Sequence, residues 1–259
     1  MNYIISRLPK KQIYLSLLIG IAISLSQFIN MSRIDILDSP YTRWLGVDSF
    51  GYSAILFYLL LPIISAIPAS TLLKKDINSG FIYKLKNKYS ISKIFSLYAG
   101  VSFITGAAMI AIPLLLNLII WFTLAPNNIP DNLLNINVLI FNKNTLLVPL
   151  YYSHPLLHSI LAIIFASIWG GLFALFSLGV SLKVKNIFVG LSSGLILQVI
   201  ILVLNATIKL PDYVSYSPAD FLHETSPSSN IDGVVILVAT IIMGIIVEIL
   251  IELGKRNVE

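Results

Sequence analysis

The sequence predicts an all-α membrane protein, a polytopic bundle of six transmembrane helices with both the N-terminus and the C-terminus in the cytoplasm. Three observations predict it. Of 259 residues, 57% are hydrophobic and only 11% charged, and the mean hydropathy of +0.89 lies far above that of a water-soluble domain. The apolar residues gather into six runs, each near the ~20 residues that a helix needs to cross ~30 Å of hydrocarbon. Hydrocarbon offers the backbone no hydrogen-bonding partner, so such runs satisfy themselves only as helices, and the short alternating segments of a membrane barrel are not seen. The chain reads as one transmembrane domain, 1–259, and without cysteine it has neither a disulfide framework nor a thiolate metal site.

The first run, roughly 12–30, follows Arg7, Lys10 and Lys11. It reads as a span and not as a cleaved signal peptide, because it exceeds a signal's apolar stretch and Gln27, Phe28, Ile29 and Asn30 offer no small-residue cleavage site. The second, roughly 53–73, contains Pro62 and Pro68. The third, roughly 94–125, is the longest, and Pro113 with Asn117 is where it is expected to kink or break. The fourth, fifth and sixth occupy roughly 155–181, 187–208 and 232–253. Between the third and fourth lies the longest connection, roughly 126–154, whose apolar stretches suit a segment folded back on the outer membrane surface.

Basic residues set the orientation. Arg7, Lys10, Lys11, the lysines between 74 and 93, Lys183, Lys185, Lys255 and Arg256 place thirteen cations on one side; Arg33, Arg43, Lys143 and Lys209 place four on the other. The basic side is cytoplasmic by the positive-inside rule, so the net charge of +5 reports a membrane face and not nucleic acid. The outer loops carry Asp35, Asp38, Asp48, Asp131, Asp212, Asp220 and Glu224, and Trp44, Tyr151, Tyr152 and Tyr213 suit the outer interface.

The cytoplasmic segment 74–93 is the most informative. Phe81, Leu85 and Tyr89 are four residues apart and share one helical face, with Lys84 and Lys88 flanking the stripe. It reads as a short surface helix, resting either on anionic lipid headgroups or on a cytoplasmic protein. The order Asp76, Ser79-Gly80, an apolar-basic stretch from 81 to 89, then Ser90 and Lys93 before a long span resembles the cytoplasmic segment of type-2 ABC transporter permeases. The layout of the whole chain is similar: six spans, cytoplasmic ends, a fourth span rich in small and aromatic residues and a short basic loop before the fifth. The resemblance implies that Asp76, Gly80, Phe81, Leu85 and Tyr89 contact a separate ATP-binding-cassette ATPase, although the family often has Glu where this chain has Asp76. It further implies a second permease chain as partner, identical or not, and alternating access driven by ATP.

No phosphate-binding loop of the form G-x-x-x-x-G-K-[ST] occurs, so ATP hydrolysis belongs to a partner and the chain itself is not an enzyme. An ion gradient is the other energy source, but the spans hold almost no ionisable residue; Glu248 and Glu252 sit in the last turns of the sixth and reach the cytoplasmic interface. Two rival functions are the six-span binding module of a vitamin uptake system and an intramembrane hydrolase, the second lacking paired catalytic residues at membrane depth. Gly190-Leu-Ser-Ser-Gly194 matches a hydrolase pattern, but follows no strand and is better read as helix packing. His154 and His158 have a metal-binding spacing at the outer start of the fourth span, with His223 and Glu224 on the same side; interfacial hydrogen bonding is the simpler reading, and no metal or other cofactor is expected. Gly170 and Gly171, with Ala166 and Ala174 nearby on the same helix, mark a face for close helix packing. The abundance of Ile, Lys and Asn points to an AT-rich bacterial genome, hence a bacterial cytoplasmic membrane, with a peptide, antimicrobial, lipid or drug as substrate.

Overall fold

The computed structural model describes residues 4, 6–29, 31, 34, 38–48, 51–130, 143–226 and 229–256. Its elements are α1 (Lys10–Ser26), α2 (Pro40–Arg43), α3 (Tyr52–Ala66), α4 (Leu72–Asn78), α5 (Phe81–Lys86), α6 (Ile91–Leu124), α7 (Val148–Ser153), α8 (Pro155–Lys183), α9 (Ile187–Thr207), α10 (Pro218–Phe221) and α11 (Gly233–Arg256). A 3-10 turn spans Pro211–Tyr213. Among the described residues there is no β-strand, only a bridge between Val214 and Asn230. The protein is all-helical, and α6, α8, α9 and α11 are long and apolar enough to cross a membrane. As helices, α1 and α3 are shorter, at 17 and 15 residues, against the ~20 that a full crossing needs.

The reason for α3's length is proline. Pro62 lies inside α3, and Pro68 follows its end, where the chain turns through 67–71 before α4 begins. Each proline lacks the N–H that would reach the carbonyl four residues back, leaving the Tyr58 and Ile64 oxygens without their helical donors. At membrane depth such oxygens need other donors. Gln198 of α9 donates Nε2 to Tyr58 O (2.8 Å) and Leu59 O (3.0 Å), and Ser16 of α1 donates its hydroxyl to Ile64 O (2.6 Å). Both donors are fully buried. Two polar side chains inside apolar helices are thereby accounted for, and they pin α3 between α1 and α9.

The third run does not break: α6 is continuous over 34 residues, through Pro113 and Asn117. Asn117 instead joins elements. Its Oδ1 accepts from Leu45 N (2.9 Å), and its Nδ2 donates to Ser24 O and to Gln27 Oε1 (3.0 Å each). At the centre, α6 packs against α8 where glycines let the backbones approach. A Cβ on Gly106 would lie 2.6 Å from Ala174 Cβ and 3.1 Å from Gly170 O; one on Gly170 would lie 2.6 Å from Ile110 Cγ1, and one on Gly171 2.5 Å from the Phe103 ring. The main core, with Trp44, Phe57, Tyr58, Leu114, Trp121, Trp169 and Phe173, fills the bundle from this contact toward the α6 C-terminus. Leu72, Leu73, Ile82, Leu85, Ile94, Phe95 and Tyr98 form a second core at the opposite end.

Candidate functional site

The second core fastens the segment between α3 and α6 to the bundle. Gly80 joins α4 to α5 with φ +74°, a left-handed conformation that favours glycine, in space open enough that a Cβ would meet nothing. Asp76, almost fully buried, accepts from Arg7 Nη2 (2.5 Å), Arg7 Nε (3.2 Å) and the Tyr98 hydroxyl (2.5 Å). The same guanidinium lies 4.0 Å from the centre of the Phe81 ring, so Arg7 is held between a carboxylate and an aromatic face. Lys74 donates to the carbonyls of Val184 and Lys185, binding α4 to the loop after α8.

Phe81, Leu85 and Tyr89 do not present one stripe. Leu85 is buried against the bundle, Phe81 is half-buried under Arg7, and Tyr89 is exposed in the turn after α5 ends at Lys86. Asp76 and Leu85 therefore face inward, Gly80 sits at the bend, and the exposed surface of the segment includes Tyr83, Lys84, Lys88 and Tyr89 beside Asn78, Ser79, Asn87 and Ser90. Tyr83 is missed by the four-residue stripe because α5 begins at Phe81 and turns Ile82 and Leu85 inward together.

A second polar centre lies at the opposite end. Glu224, 3% exposed, accepts from Trp44 Nε1 on Oε2 (2.6 Å) and from the Ser159 hydroxyl on Oε1 and Oε2 (3.2 and 3.3 Å). His158 Nδ1 lies 2.5 Å from Oε1, and His158 Nε2 lies 2.6 Å from the Leu146 carbonyl. A carbonyl oxygen only accepts, so Nε2 carries a proton, and the short contact at Nδ1 needs one more. The pair thus holds one proton between imidazole and carboxylate. Burial pushes the Glu224 carboxyl above the usual range, and the bonds from His158, Trp44 and Ser159 oppose that without cancelling it. Around it, Glu224 N donates to Gly46 O (2.9 Å), Thr145 donates to Glu224 O and Ser226 N donates to Asn144 O (2.8 Å). Three loops are tied to one another through these backbone bonds, and the carboxylate joins them to the first turns of α8.

Trp44 and Tyr151, expected at the outer interface, are instead fully buried, because Trp44 bonds Glu224 and Tyr151 donates to Tyr41 O (3.1 Å); Tyr213 is exposed as expected. His154 and His158 part company: His154 is the exposed residue just before α8, whereas His158 is buried. Among the described residues no group of three His, Cys, Asp or Glu forms a metal site. Ser192, inside the Gly-x-Ser-x-Gly run, donates to Phe188 O in its own helix (2.8 Å). Residues 131–142 of the connection 126–154, Asp131 among them, and the acidic Asp35 lie outside the described residues. Compared with known proteins, the chain matches no family model, and no curated protein or solved structure matches it.

Proposed function

We propose that this chain is the membrane-spanning permease subunit of an ATP-driven transporter, crossing the bilayer six times with both termini in the cytoplasm and coupled to a separate ATPase through the segment between α3 and α6. The observation that carries the reading is the construction of that segment: two short helices packed onto α6 and α8 through the second core, locked to the bundle by Asp76, Arg7 and Tyr98, and exposing Tyr83, Lys84, Lys88 and Tyr89. A lever of this kind suits force transmission. Pushed by a docked partner, it moves the residues before α1 through Arg7, α6 through Tyr98 and the α8–α9 loop through Lys74. The chain lacks a nucleotide-binding loop, so the push comes from a partner. A second permease chain would complete the pathway, and export in a bacterial cytoplasmic membrane fits the layout.

Reversing charge at the exposed face, with Tyr83→Glu and Lys84→Glu together, removes the complementarity while leaving the buried anchor intact. Purified in mild detergent from native membranes, the parent should bring down an ATPase subunit and the double variant should not, with equal insertion of both. If the parent recovers no ATPase, the transporter reading fails. Equal recovery by both would retain the function and move the contact elsewhere.

A further inference from the structure

α9 and α11 both pack on α8 and scarcely on each other, so a slot opens between them. Its volume is about 420 Å³. The α8 side chains Trp169 and Phe173 form the floor, Ile201 and Ile242 stand in the two walls, and Tyr216 with Pro218 roofs the end nearest the loops. The lining side chains hold two polar atoms: Tyr216 Oη, which donates to Ile208 O (3.1 Å), and Trp169 Nε1, buried with no hydrogen-bond partner among the described residues. Both walls belong to helices long and apolar enough to cross a membrane, with aliphatic outer faces bearing Ile200, Val203, Ile241 and Ile245. The slot therefore opens into hydrocarbon.

Its setting and length choose the occupant. On α11 the lining runs from Val234 to Ile246, twelve residues on, which is about 18 Å at ~1.5 Å per residue. Open along that length to the bilayer interior, where saturated chains are the solvent, the slot lets an extended chain bring its carbons to ~3.5–4.0 Å from Trp169, Ile201 and Ile242. We infer that the α9–α11 slot binds the acyl chain of a bilayer phospholipid, which enters sideways from the membrane and lies on Trp169. The inference rests on the protein's residence in a membrane and not on the permease reading.

Tryptophan emission tests it, because bromine on an acyl chain quenches indole on contact. The full chain is reconstituted in vesicles of phosphatidylcholine, plain or brominated along the acyl chain, and the Trp169 component is the difference between the parent and Trp169→Phe. Although Trp169 is only 2% exposed, its emission should fall at least two-fold in brominated vesicles. In Ala239→Phe or Val235→Phe, each of which fills the slot, more than half of that loss should disappear; either variant suffices if the other misfolds. Equal Trp169 emission in both vesicles overturns the site, as does quenching that neither filled variant reduces.

Discussion

His223 and Glu224 are adjacent, both buried, and solve burial differently. Glu224 is surrounded by donors; His223 lies with its ring centre 3.9 Å from that of Tyr58, and its Nδ1 has no hydrogen-bond partner among the described residues. Nothing there welcomes a second proton, and burial pushes the His223 pKa down to about 3. The sign follows from linkage. A histidine depressed in the folded state takes up its proton only on unfolding, so the fold loses stability as pH falls below the unfolded value of ~6.5, down to the folded value. Between pH 7.5 and 5.5 that loss is about 1.4 kcal/mol. Glu224, raised by burial, works in the opposite sense as pH rises, so the parent alone mixes the two. Comparing unfolding in detergent at the two pH values for the parent and His223→Gln isolates the histidine: the variant should lack about 1.4 kcal/mol of acid sensitivity. Identical pH dependence in both would mean that His223 is not held neutral.

At the level of elements, the contact between α6 and α8 is the most demanding, because the carbonyls of Gly106 and Gly170 each approach the other glycine where a Cβ would stand. Gly170→Leu would drive a side chain into Ile110 and toward Gly106 O, a backbone atom that cannot rotate away, whereas Gly171→Leu meets the Phe103 ring, which is half-buried and free to turn. Overpacking of this sort costs roughly 1–3 kcal/mol, and Gly170→Leu should lie at the upper end with Gly171→Leu below it. Thermal unfolding in detergent ranks them, and a Gly170→Leu protein as stable as the parent would show that the helices do not approach so closely. Gly170 and Gly171 are legible in the sequence because small residues at helical spacing are a local pattern. The roles of Ser16 and Gln198 are not, since each answers a carbonyl freed by a proline in another helix. Trp44, Ser159 and Glu224 are further apart still, and composition marks them only as an aromatic, a serine and an acid near an outer loop. The stripe 81, 85, 89 misleads for a different reason: four-residue spacing assumes a helix longer than α5.

At the scale of the whole molecule, the bundle has two chemically different ends. At one, Arg7 meets Asp76, Lys74 meets the 184–185 carbonyls and Lys183 donates to Leu253 O, gathering the N-terminal residues, the α4–α5 segment, the α8–α9 loop and the end of α11. At the other, Gln27 donates to Arg43 O and Asp48, Ser39 to Asn128 O, Trp44 to Glu224 and Lys143 to Asp212, gathering the remaining connections. The contacts thus sort the loops as the thirteen-to-four division of basic residues does, although that division uses charge alone. The positive-inside rule predicts that the first end faces the cytoplasm. Asn87, exposed just after α5, belongs to that end; Asn127, exposed just after α6, belongs to the other, and about 50 Å of helix at ~1.5 Å per residue separates them. The chain has no cysteine, so Asn87→Cys and Asn127→Cys each give a single thiol. In intact cells an impermeant maleimide should label Asn127→Cys and spare Asn87→Cys until the membrane is opened. Labelling of both in sealed cells would deny that α6 crosses the bilayer, and labelling of Asn87→Cys alone would invert the protein and place the basic lever, with any ATPase docked on it, on the wrong side for ATP.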